Sequence, residues 1–368
     1  MTSVEIPSRR RDVLKLGLGA GAGLVAAPAI VRAQDTVSWT MATSWPKNAP
    51  GVGVNAQRLA DKIVAMSGGR LSIRFFAAGE LVPPFEVFDA VGAGTAQCGH
   101  GTPYYAAGKN PVFHYFTGVP FGLLAHEHAA WLAFGGAQAL WDKAYEPFGV
   151  KPFYAGSSGP QATGWFRKEI NSLDDLKGLR MRIAGLGGEI MRRLGVTVTL
   201  TPPGEIFQAM QSGAVDAAEW IGPWNDLAFG LYRVADHYYV MPTHELGPAL
   251  EFIVNRSAWE ALPDDLKAVV TEAARASAFE ALADFTFHNI RSLPTLVAEH
   301  KAQVRTLPDD VLKAMGAESQ KVLAETAATS DVAREVNDSF TAFRSQAMAY
   351  HKQTDAEAYR VRELGLGA

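Results

Sequence analysis

The sequence predicts an α/β protein of two similar lobes with a cleft between them, followed by C-terminal helices. The main observation is an internal repeat, because residues 83–97 (PPFEVFDAVGAGTAQ) and 202–216 (PPGEIFQAMQSGAVD) share six of fifteen positions at an offset of 119. Each copy predicts a helix opened by proline, a glycine that ends the helix, and a short strand. Two copies argue against a solenoid and for two related lobes.

The first lobe is predicted to span residues 34–156, with a return segment at 248–290. Alternating apolar residues indicate its strands, and apolar residues at helical spacing indicate its helices. Gly68 and Gly69 end the first of these helices. The predicted strands are 37–43, 71–76, 96–100 and 150–155, and the predicted helices are 54–67, 84–93 and 126–145.

The second lobe is predicted to span residues 157–247, with part of 291–330. The glycine-rich segment 156–160 is expected to cross between the lobes and to act as a hinge. Ligands of open α/β sheets lie at the carboxyl ends of strands, so the two repeats bring residues 100–105 and 219–224 to the cleft. The predicted strands are 162–167, 179–184, 196–199 and 214–220, and the predicted helices are 172–178, 189–194 and the second repeat. This alternation favours mainly parallel sheets.

The C-terminal third is predicted to be helical. Pro263 opens a long helix from residue 264 to about 292, which Pro294 is expected to kink or end. Residues 309–362 are almost all helix formers with interleaved charges, and 331–368 form a helical tail that favours a homodimer.

The N-terminus predicts export. The segment RRRDVLK at residues 9–15 precedes an uncharged stretch rich in glycine and alanine, and Val31-Arg32-Ala33 offers small residues for cleavage. Residues 1–33 are therefore predicted to be a twin-arginine signal peptide that directs the protein to the periplasm. The stretch is short for a membrane span, although an uncleaved anchor stays open as an alternative.

The amino-acid composition and charge bear on which kinds of molecule the protein binds. The 335 residues after the predicted signal carry 29 basic and 36 acidic side chains, a formal charge of −7. This mildly acidic chain without a basic stripe argues against a nucleic-acid partner. Cys98 is the only cysteine, so no internal disulfide forms, and a buried apolar role is expected for it.

Residues 174–185 (DDLKGLRMRIAG), 194–196 (LGV) and 203–216 (PGEIFQAMQSGAVD), continuing to Glu219, resemble the solute-binding proteins of TRAP transporters (tripartite ATP-independent periplasmic). The likeness covers essentially the whole chain after the predicted signal. It implies a periplasmic-binding-protein fold without catalytic residues, which captures a small carboxylate and delivers it to membrane permease subunits. The segment 219–223 (EWIGP) resembles the branch that binds 2-oxo acids such as pyruvate.

The resemblance implies that Arg182 grips the ligand carboxylate, and a guanidinium does pair bidentately with a carboxylate. Arg180 lies two residues away on the same strand face and is given no such role. Gln161, Glu219 and the backbone carbonyl of Trp220 are implied to bind a cation beside the substrate, as hard cations prefer oxygen ligands.

Further contacts to the ligand come from the flanking segments. Gln161 is also expected to touch the substrate, and Glu245 is expected to add a contact to substrate or cation. One hydroxyl, of Tyr104 or Tyr105, is expected to donate to the ligand from the other lobe. One carboxylate among neutral oxygens favours Na⁺, with Ca²⁺ as the alternative.

Other interpretations stay open from sequence alone. Arg182, Glu219 and Glu245 are alternatively surface residues, and the two tyrosines alternatively pack in the cleft wall. His126 and His128 are too closely spaced on a helix to turn both rings to one side. An exported metal-assisted enzyme acting on small organic acids is the alternative function, although no G-x-S-x-G or H-E-x-x-H motif supports it. Pyruvate, longer 2-oxo acids and hydroxy acids such as lactate all fit the predicted site.

Overall fold

A computed structural model describes residues 36–367, so the predicted signal peptide at residues 1–33 lies outside the described residues. The strands, numbered in chain order, are β1 Val37–Thr43, β2 Leu71–Phe76, β3 Cys98–Gly101, β4 Val150–Ser157, β5 Gly164–Phe166, β6 Arg180–Arg182, β7 Thr197–Thr199, β8 Ala217–Ala218, β9 His237–Tyr239, β10 Ala249–Asn255 and β11 Gln303–Val304. The α-helices are α1 Val52–Met66, α2 Val87–Gly92, α3 Phe113–Thr117, α4 Ala125–Phe134, α5 Ala137–Tyr145, α6 Gly185–Arg193, α7 Ile206–Gln211, α8 Pro223–Phe229, α9 Arg256–Glu260, α10 Asp264–Ala298, α11 Asp309–Ala327, α12 Asp331–His351 and α13 Asp355–Leu366.

The strands form two separate sheets, which define the two lobes. The first sheet has the order β2-β1-β3-β10-β4, and the second has the order β11-β9-β5-β8-β6-β7. The chain passes directly between them at residues 158–163, the first crossing segment, and at residues 240–248, the second crossing segment. It returns from β10 of the first sheet to β11 of the second through α10. The predicted two-lobed α/β fold is confirmed.

The sheets are mixed, whereas the sequence favoured mainly parallel ones. Strand β1 is parallel to β2 and β3, and β6 is parallel to β7 and β8. Strand β10 is antiparallel to β3 and β4, and β5 is antiparallel to β8 and β9. The two antiparallel strands, β5 and β10, each follow a crossing segment. A crossing delivers the chain to the cleft edge, so the next strand must run away from the cleft.

The two repeat copies fold alike. Each forms a short helix followed by a strand, α2 then β3 in the first lobe and α7 then β8 in the second. Gly94 and Gly213, which occupy the same repeat position, have left-handed φ values of 77° and 74° just past these helices. Such a helix end favours glycine because other residues are strained there. Both repeat strands lie inside their sheets and end at the cleft.

Two predicted helices differ in extent. The predicted helix 126–145 is two helices, α4 and α5, since Gly136 between them has a φ of 79°. Helix α10 continues through Pro294 to Ala298 instead of ending there. Proline lacks an N–H and weakens one turn, but Leu296 in the following turn is fully buried. Helix α10 packs against β4 of the first sheet and α8 of the second lobe, so it spans both lobes.

The C-terminal helices cover the outside of the lobes. Helix α11 packs against α6, and α12 packs against α5 and α11. Helix α13 buries no residue and exposes the apolar side chains of Tyr359, Val361, Leu364 and Leu366.

Across residues 36–367, every helix is too short or too polar to cross a membrane.

A buried carboxyl group in β10 predicts a pH-dependent stability. Glu251 is buried and accepts a hydrogen bond of 2.8 Å from the Tyr145 hydroxyl. Burial raises the pKa of Glu251 from its ordinary 4.5 to about 8. Between these values the folded protein holds a proton that the unfolded chain releases. The contribution of Glu251 to the free energy of unfolding therefore falls as pH rises from about 4.5 to 8.

Glu251→Gln is expected to remove this fall, because the amide stays neutral and its oxygen still accepts from Tyr145. The variant and the parent should have similar unfolding free energies at pH 5. At pH 8 the variant should be more stable by on the order of 4 kcal/mol. Urea unfolding across this pH range measures the difference, and parallel pH profiles would contradict the buried protonated state of Glu251.

Candidate ligand and cation site

The cleft between the lobes contains a small pocket. It lies where β3 and β8 end, as the repeat predicts. Both lobes and both crossing segments contribute to its wall. The lining residues are Trp45, Val52, Thr102, Tyr104, Tyr105, Ser158, Gln161, Trp220, Ile221, Glu245, Pro248, Ala249 and Leu250. The structure thus brings together Tyr104, Tyr105, Gln161, Trp220 and Glu245 around one pocket.

Backbone hydrogen bonds between the crossing segments position the polar side chains. The Gln161 N–H donates to the Glu245 carbonyl oxygen at 2.9 Å, and the Ala162 N–H donates to the Ile221 carbonyl oxygen at 2.9 Å. The Gln161 amide group donates from Nε2 to Ser158 Oγ at 2.9 Å. This bond orients the side chain so that its oxygen, Oε1, is left for another partner.

Arg182 is fully buried and contacts Glu219 at the end of the neighbouring strand. Its Nη1 donates to Glu219 Oε2 at 2.7 Å and to the Glu219 carbonyl oxygen at 2.5 Å. Its Nε donates to the Thr201 carbonyl oxygen at 3.3 Å, so none of these contacts uses Nη2. The guanidinium carbon lies 5.7 Å from the centre of the Trp220 ring. Of the three guanidinium nitrogens, Nη2 therefore remains, with two N–H groups that can donate to a ligand carboxylate.

Arg180 has a different environment, although it precedes Arg182 by two residues on the same strand. Its side chain is half-exposed and donates to both carboxylate oxygens of Asp216, at 2.9 and 2.6 Å. Arg180 therefore closes a surface ion pair outside the cleft. The two arginines form a matched pair for mutagenesis.

Three buried side-chain oxygens at the cleft have no hydrogen-bond partner among the described residues, namely Gln161 Oε1, Glu219 Oε1 and Glu245 Oε2. Buried polar atoms are normally satisfied, so three unpartnered oxygens indicate a missing ligand. Carboxylate and amide oxygens are the donors that Na⁺ and Ca²⁺ prefer. The residues present therefore fit the cation that the sequence predicts, and Trp220 directly follows Glu219 in the same wall.

His244 adds a nitrogen to this group. Its Nε2 lies 3.5 Å from Glu219 Oε1, and one ligand atom from each of Glu219, His244 and Glu245 lies within 4.8 Å of the others. Burial lowers the pKa of His244, but Glu219 and Glu245 outweigh that effect and raise it. Burial, with Glu219, raises the pKa of Glu245, which His244 partly offsets. A cation here would thus compete with protons for the same oxygens.

The two tyrosines close the pocket from the first lobe. Tyr104 and Tyr105 follow β3, with their ring centres 5.1 Å apart. Burial raises the pKa of both hydroxyls, so they remain protonated donors. Gly185, the first residue of α6 in the second lobe, has a φ of 62°, and a Cβ atom there would lie 3.2 Å from the Tyr104 ring. The lobes therefore touch at Tyr104 and Gly185.

Several supporting residues carry no signal in the sequence. Ser158 orients Gln161, and His100 accepts at Nδ1 from the Trp45 indole at 2.8 Å, which fixes a lining residue. Asp226 accepts from the Trp165 indole at 3.0 Å beneath the second sheet, and burial raises its pKa to about 7. The contacts of Trp45 with His100 and of Trp165 with Asp226 join segments 55 and 61 residues apart.

The two histidines at the start of α4 lie in different environments. His128 is buried, and its Nδ1 lies 3.1 Å from the Gly247 carbonyl oxygen in the second crossing segment. His126 is half-exposed on the outside of the first lobe, away from the pocket. They therefore do not form a metal pair with each other.

Comparison with known proteins identifies the family. Residues 41–330 match the family described as bacterial extracellular solute-binding protein, family 7, or DctP. The chain belongs to this family. A relative from Nostoc, named as a monocarboxylate 2-oxoacid-binding periplasmic protein, is 42% identical over 316 residues, which cover 86% of each chain.

Two solved structures of TRAP periplasmic solute-binding proteins share the fold. One, from Colwellia psychrerythraea, holds calcium and pyruvate, and the other, from Pseudoalteromonas atlantica, holds sodium and pyruvate. Each has a TM-score of 0.86 and 35% identity, and each match covers 89% of this chain and 99% of the other. This DctP-family chain is thus an extracytoplasmic solute-binding protein of a TRAP transporter, a class that serves membrane permease components, and the enzyme alternative is not supported.

Proposed function

We propose that this solute-binding protein captures a 2-oxo acid such as pyruvate together with a cation. The carrying observation has two parts: the buried Arg182 is paired with Glu219, and the buried oxygens Gln161 Oε1, Glu219 Oε1 and Glu245 Oε2 have no hydrogen-bond partner. A 2-oxo acid offers a carboxylate for the arginine and an adjacent carbonyl oxygen for the cation. The names of the Nostoc relative and of the two pyruvate complexes support the same ligand class.

Each side chain then has one role. Arg182 pairs with the ligand carboxylate, and Gln161, Glu219 and Glu245 provide oxygens to the cation, with the Trp220 carbonyl as a further ligand. Tyr104 and Tyr105 donate their hydroxyls to the ligand from the opposite lobe. Because both lobes contact the ligand, binding stabilises the closed arrangement through a hinge at the crossing segments. The closed, loaded protein then delivers its ligand to the permease for uptake driven by an ion gradient.

We propose Na⁺ as the cation, with Ca²⁺ able to replace it. Arg182 already neutralises one negative charge of Glu219, which leaves Glu245 as the second carboxylate. A site of low net charge suits a monovalent ion, while its oxygen ligands also suit calcium.

Calorimetric titration of the protein with pyruvate tests this function. The protein should first be unfolded and refolded to remove bound ligand, and then titrated with Na⁺, with Ca²⁺ and with neither. We expect micromolar or tighter binding that requires a cation, and weaker binding of acetate, which lacks the second oxygen. Cation-independent binding, or equal affinity for acetate, would contradict the proposal.

We also propose that α13 mediates a homodimer. It buries nothing within its own chain and exposes four apolar side chains, whereas a groove beside α4, α10 and β4 is lined by apolar Leu132, Phe153 and Trp259. Insertion of α13 into this groove of a second copy would cover both surfaces. Deletion of residues 355–368 should convert a dimer to a monomer in light scattering, and an unchanged mass would contradict the exchange.

Export by a twin-arginine signal at residues 1–33 is proposed on the segment RRRDVLK. Replacement of Arg9, Arg10 and Arg11 by lysine should leave the precursor in the cytoplasmic fraction. Normal export of that variant would contradict this route.

A further inference from the structure

A second group of metal-ligating side chains lies outside the cleft, on the surface of the first lobe. We call it the elbow cluster, and it consists of His126, Glu127, His351 and Asp355. His126 and Glu127 begin α4, His351 ends α12, and Asp355 begins α13. The two histidines are 225 residues apart in sequence, yet their Nε2 atoms lie 3.3 Å apart.

The spacing of the ligand atoms matches a tetrahedral metal. Bonds of about 2.0–2.1 Å to Zn²⁺ place two ligand atoms about 3.3 Å from each other. His351 Nε2 lies 3.6 Å from Glu127 Oε1, and one ligand atom of each of His126, Glu127 and His351 lies within 4.8 Å of the others. Two imidazoles and a carboxylate are a typical zinc set, with a fourth position for water.

A surrounding shell holds these ligands in place. Asp355 Oδ2 lies 2.7 Å from His351 Nδ1 and 3.4 Å from His126 Nε2, so one carboxylate faces both rings. Glu127 Oε2 accepts from the Leu124 N–H at 2.8 Å, which leaves Oε1 beside His351. Glu127 is buried and His351 is largely buried, whereas His126 is half-exposed and gives access from solvent.

We propose that the elbow cluster binds one Zn²⁺ through His126 Nε2, His351 Nε2 and Glu127 Oε1. The two carboxylates of Glu127 and Asp355 balance the charge of a divalent ion. The bound ion ties the junction of α12 and α13 to α4 and so fixes the direction in which α13 leaves the subunit. This site is separate from the cleft and does not depend on the proposed ligand.

The competing arrangement is a hydrogen bond from His126 Nε2–H to His351 Nε2 without a metal. The zinc site predicts one bound Zn²⁺ per chain that is lost when a ligand is replaced, whereas the metal-free hydrogen bond predicts no bound zinc. Because Glu219, His244 and Glu245 form another group of potential ligands, the experiment must also locate the ion.

Zinc binding to the full protein, without a histidine tag and treated with chelator, can be measured by equilibrium dialysis with added Ca²⁺ and pyruvate. We expect one Zn²⁺ per chain and a higher thermal midpoint with zinc. Asp355→Asn should weaken zinc binding by about 10- to 100-fold, as expected for a carboxylate that lies beside both ligating rings. His351→Gln and His126→Gln should weaken it at least as much and abolish the thermal shift.

His288→Gln is the matched control, since His288 is also half-exposed and its Nε2 lies 3.4 Å from a carboxylate oxygen of Asp284. It should leave zinc binding unchanged, and circular dichroism checks that each variant is folded. No bound zinc, or zinc retained in His351→Gln, would overturn the proposal. Zinc lost in His244→Gln instead would place the ion in the cleft and overturn it equally.

Discussion

Replacement of Arg182 by methionine is expected to weaken 2-oxo acid binding by about 100- to 10,000-fold. A charge-assisted hydrogen bond contributes about 1.5–3 kcal/mol, and a bidentate pair makes two of them. Methionine fills a similar volume but offers no donor to a carboxylate. Calorimetric titration with pyruvate and a saturating cation measures the loss.

The same substitution should also destabilise the fold, because it leaves Glu219 buried without its ion-pair partner. Removing one member of a buried pair costs about 3–5 kcal/mol. The double variant Arg182→Met with Glu219→Gln removes both charges and should recover much of that stability. It should not recover binding, which separates the role of Arg182 in the site from its role in folding.

Arg180→Met is the matched control for Arg182. Arg180 lies on the same strand but pairs with Asp216 at the surface, where an ion pair contributes about 0–1 kcal/mol. Pyruvate affinity should be unchanged in this variant. If Arg182→Met kept its affinity within a factor of ten of the parent, Arg182 would not be the carboxylate ligand.

Glu219→Gln is expected to abolish the dependence of pyruvate binding on cation. The amide keeps the size of the side chain but removes the charge that attracts the ion and holds Arg182. Pyruvate affinity without cation should fall little, whereas Na⁺ or Ca²⁺ should no longer increase it. Titration with pyruvate across a series of cation concentrations measures this response.

Glu251→Gln serves as the control for a buried carboxyl group outside the ligand pocket, because Glu251 pairs with Tyr145 in the first lobe. This variant should keep the cation response of the parent. An unchanged response in Glu219→Gln would assign the cation to other ligands.

The internal repeat allowed the two-lobed fold to be predicted from the sequence. Gly94 and Gly213 mark two helix ends that have a left-handed conformation. The preference for glycine in that conformation is a local property of the backbone, so it can be used without knowledge of tertiary contacts. The direction of β5 and β10 was not predictable by the same means. It depends on which edge of the sheet the chain reaches after crossing between lobes, and strand propensity contains no such information.

The residues of the candidate site were also only partly predictable from the sequence. The resemblance to TRAP solute-binding proteins singled out Arg182, Gln161, Glu219 and Glu245, while residue spacing alone did not separate Arg182 from Arg180. Burial of one arginine and exposure of the other appear only in the folded chain. The contact of His126 with His351 joins segments 225 residues apart, so the spacing of His126 and His128 gave no hint of it.

The most direct test of the central claim is a crystal structure of the protein grown with pyruvate and Ca²⁺. We predict the pyruvate carboxylate on the guanidinium of Arg182. We also predict a calcium ion about 2.3–2.6 Å from oxygens of Gln161 and Glu219 and from the pyruvate carbonyl oxygen. Pyruvate bound away from Arg182, or a cleft whose three unpartnered oxygens contact no cation, would contradict the account.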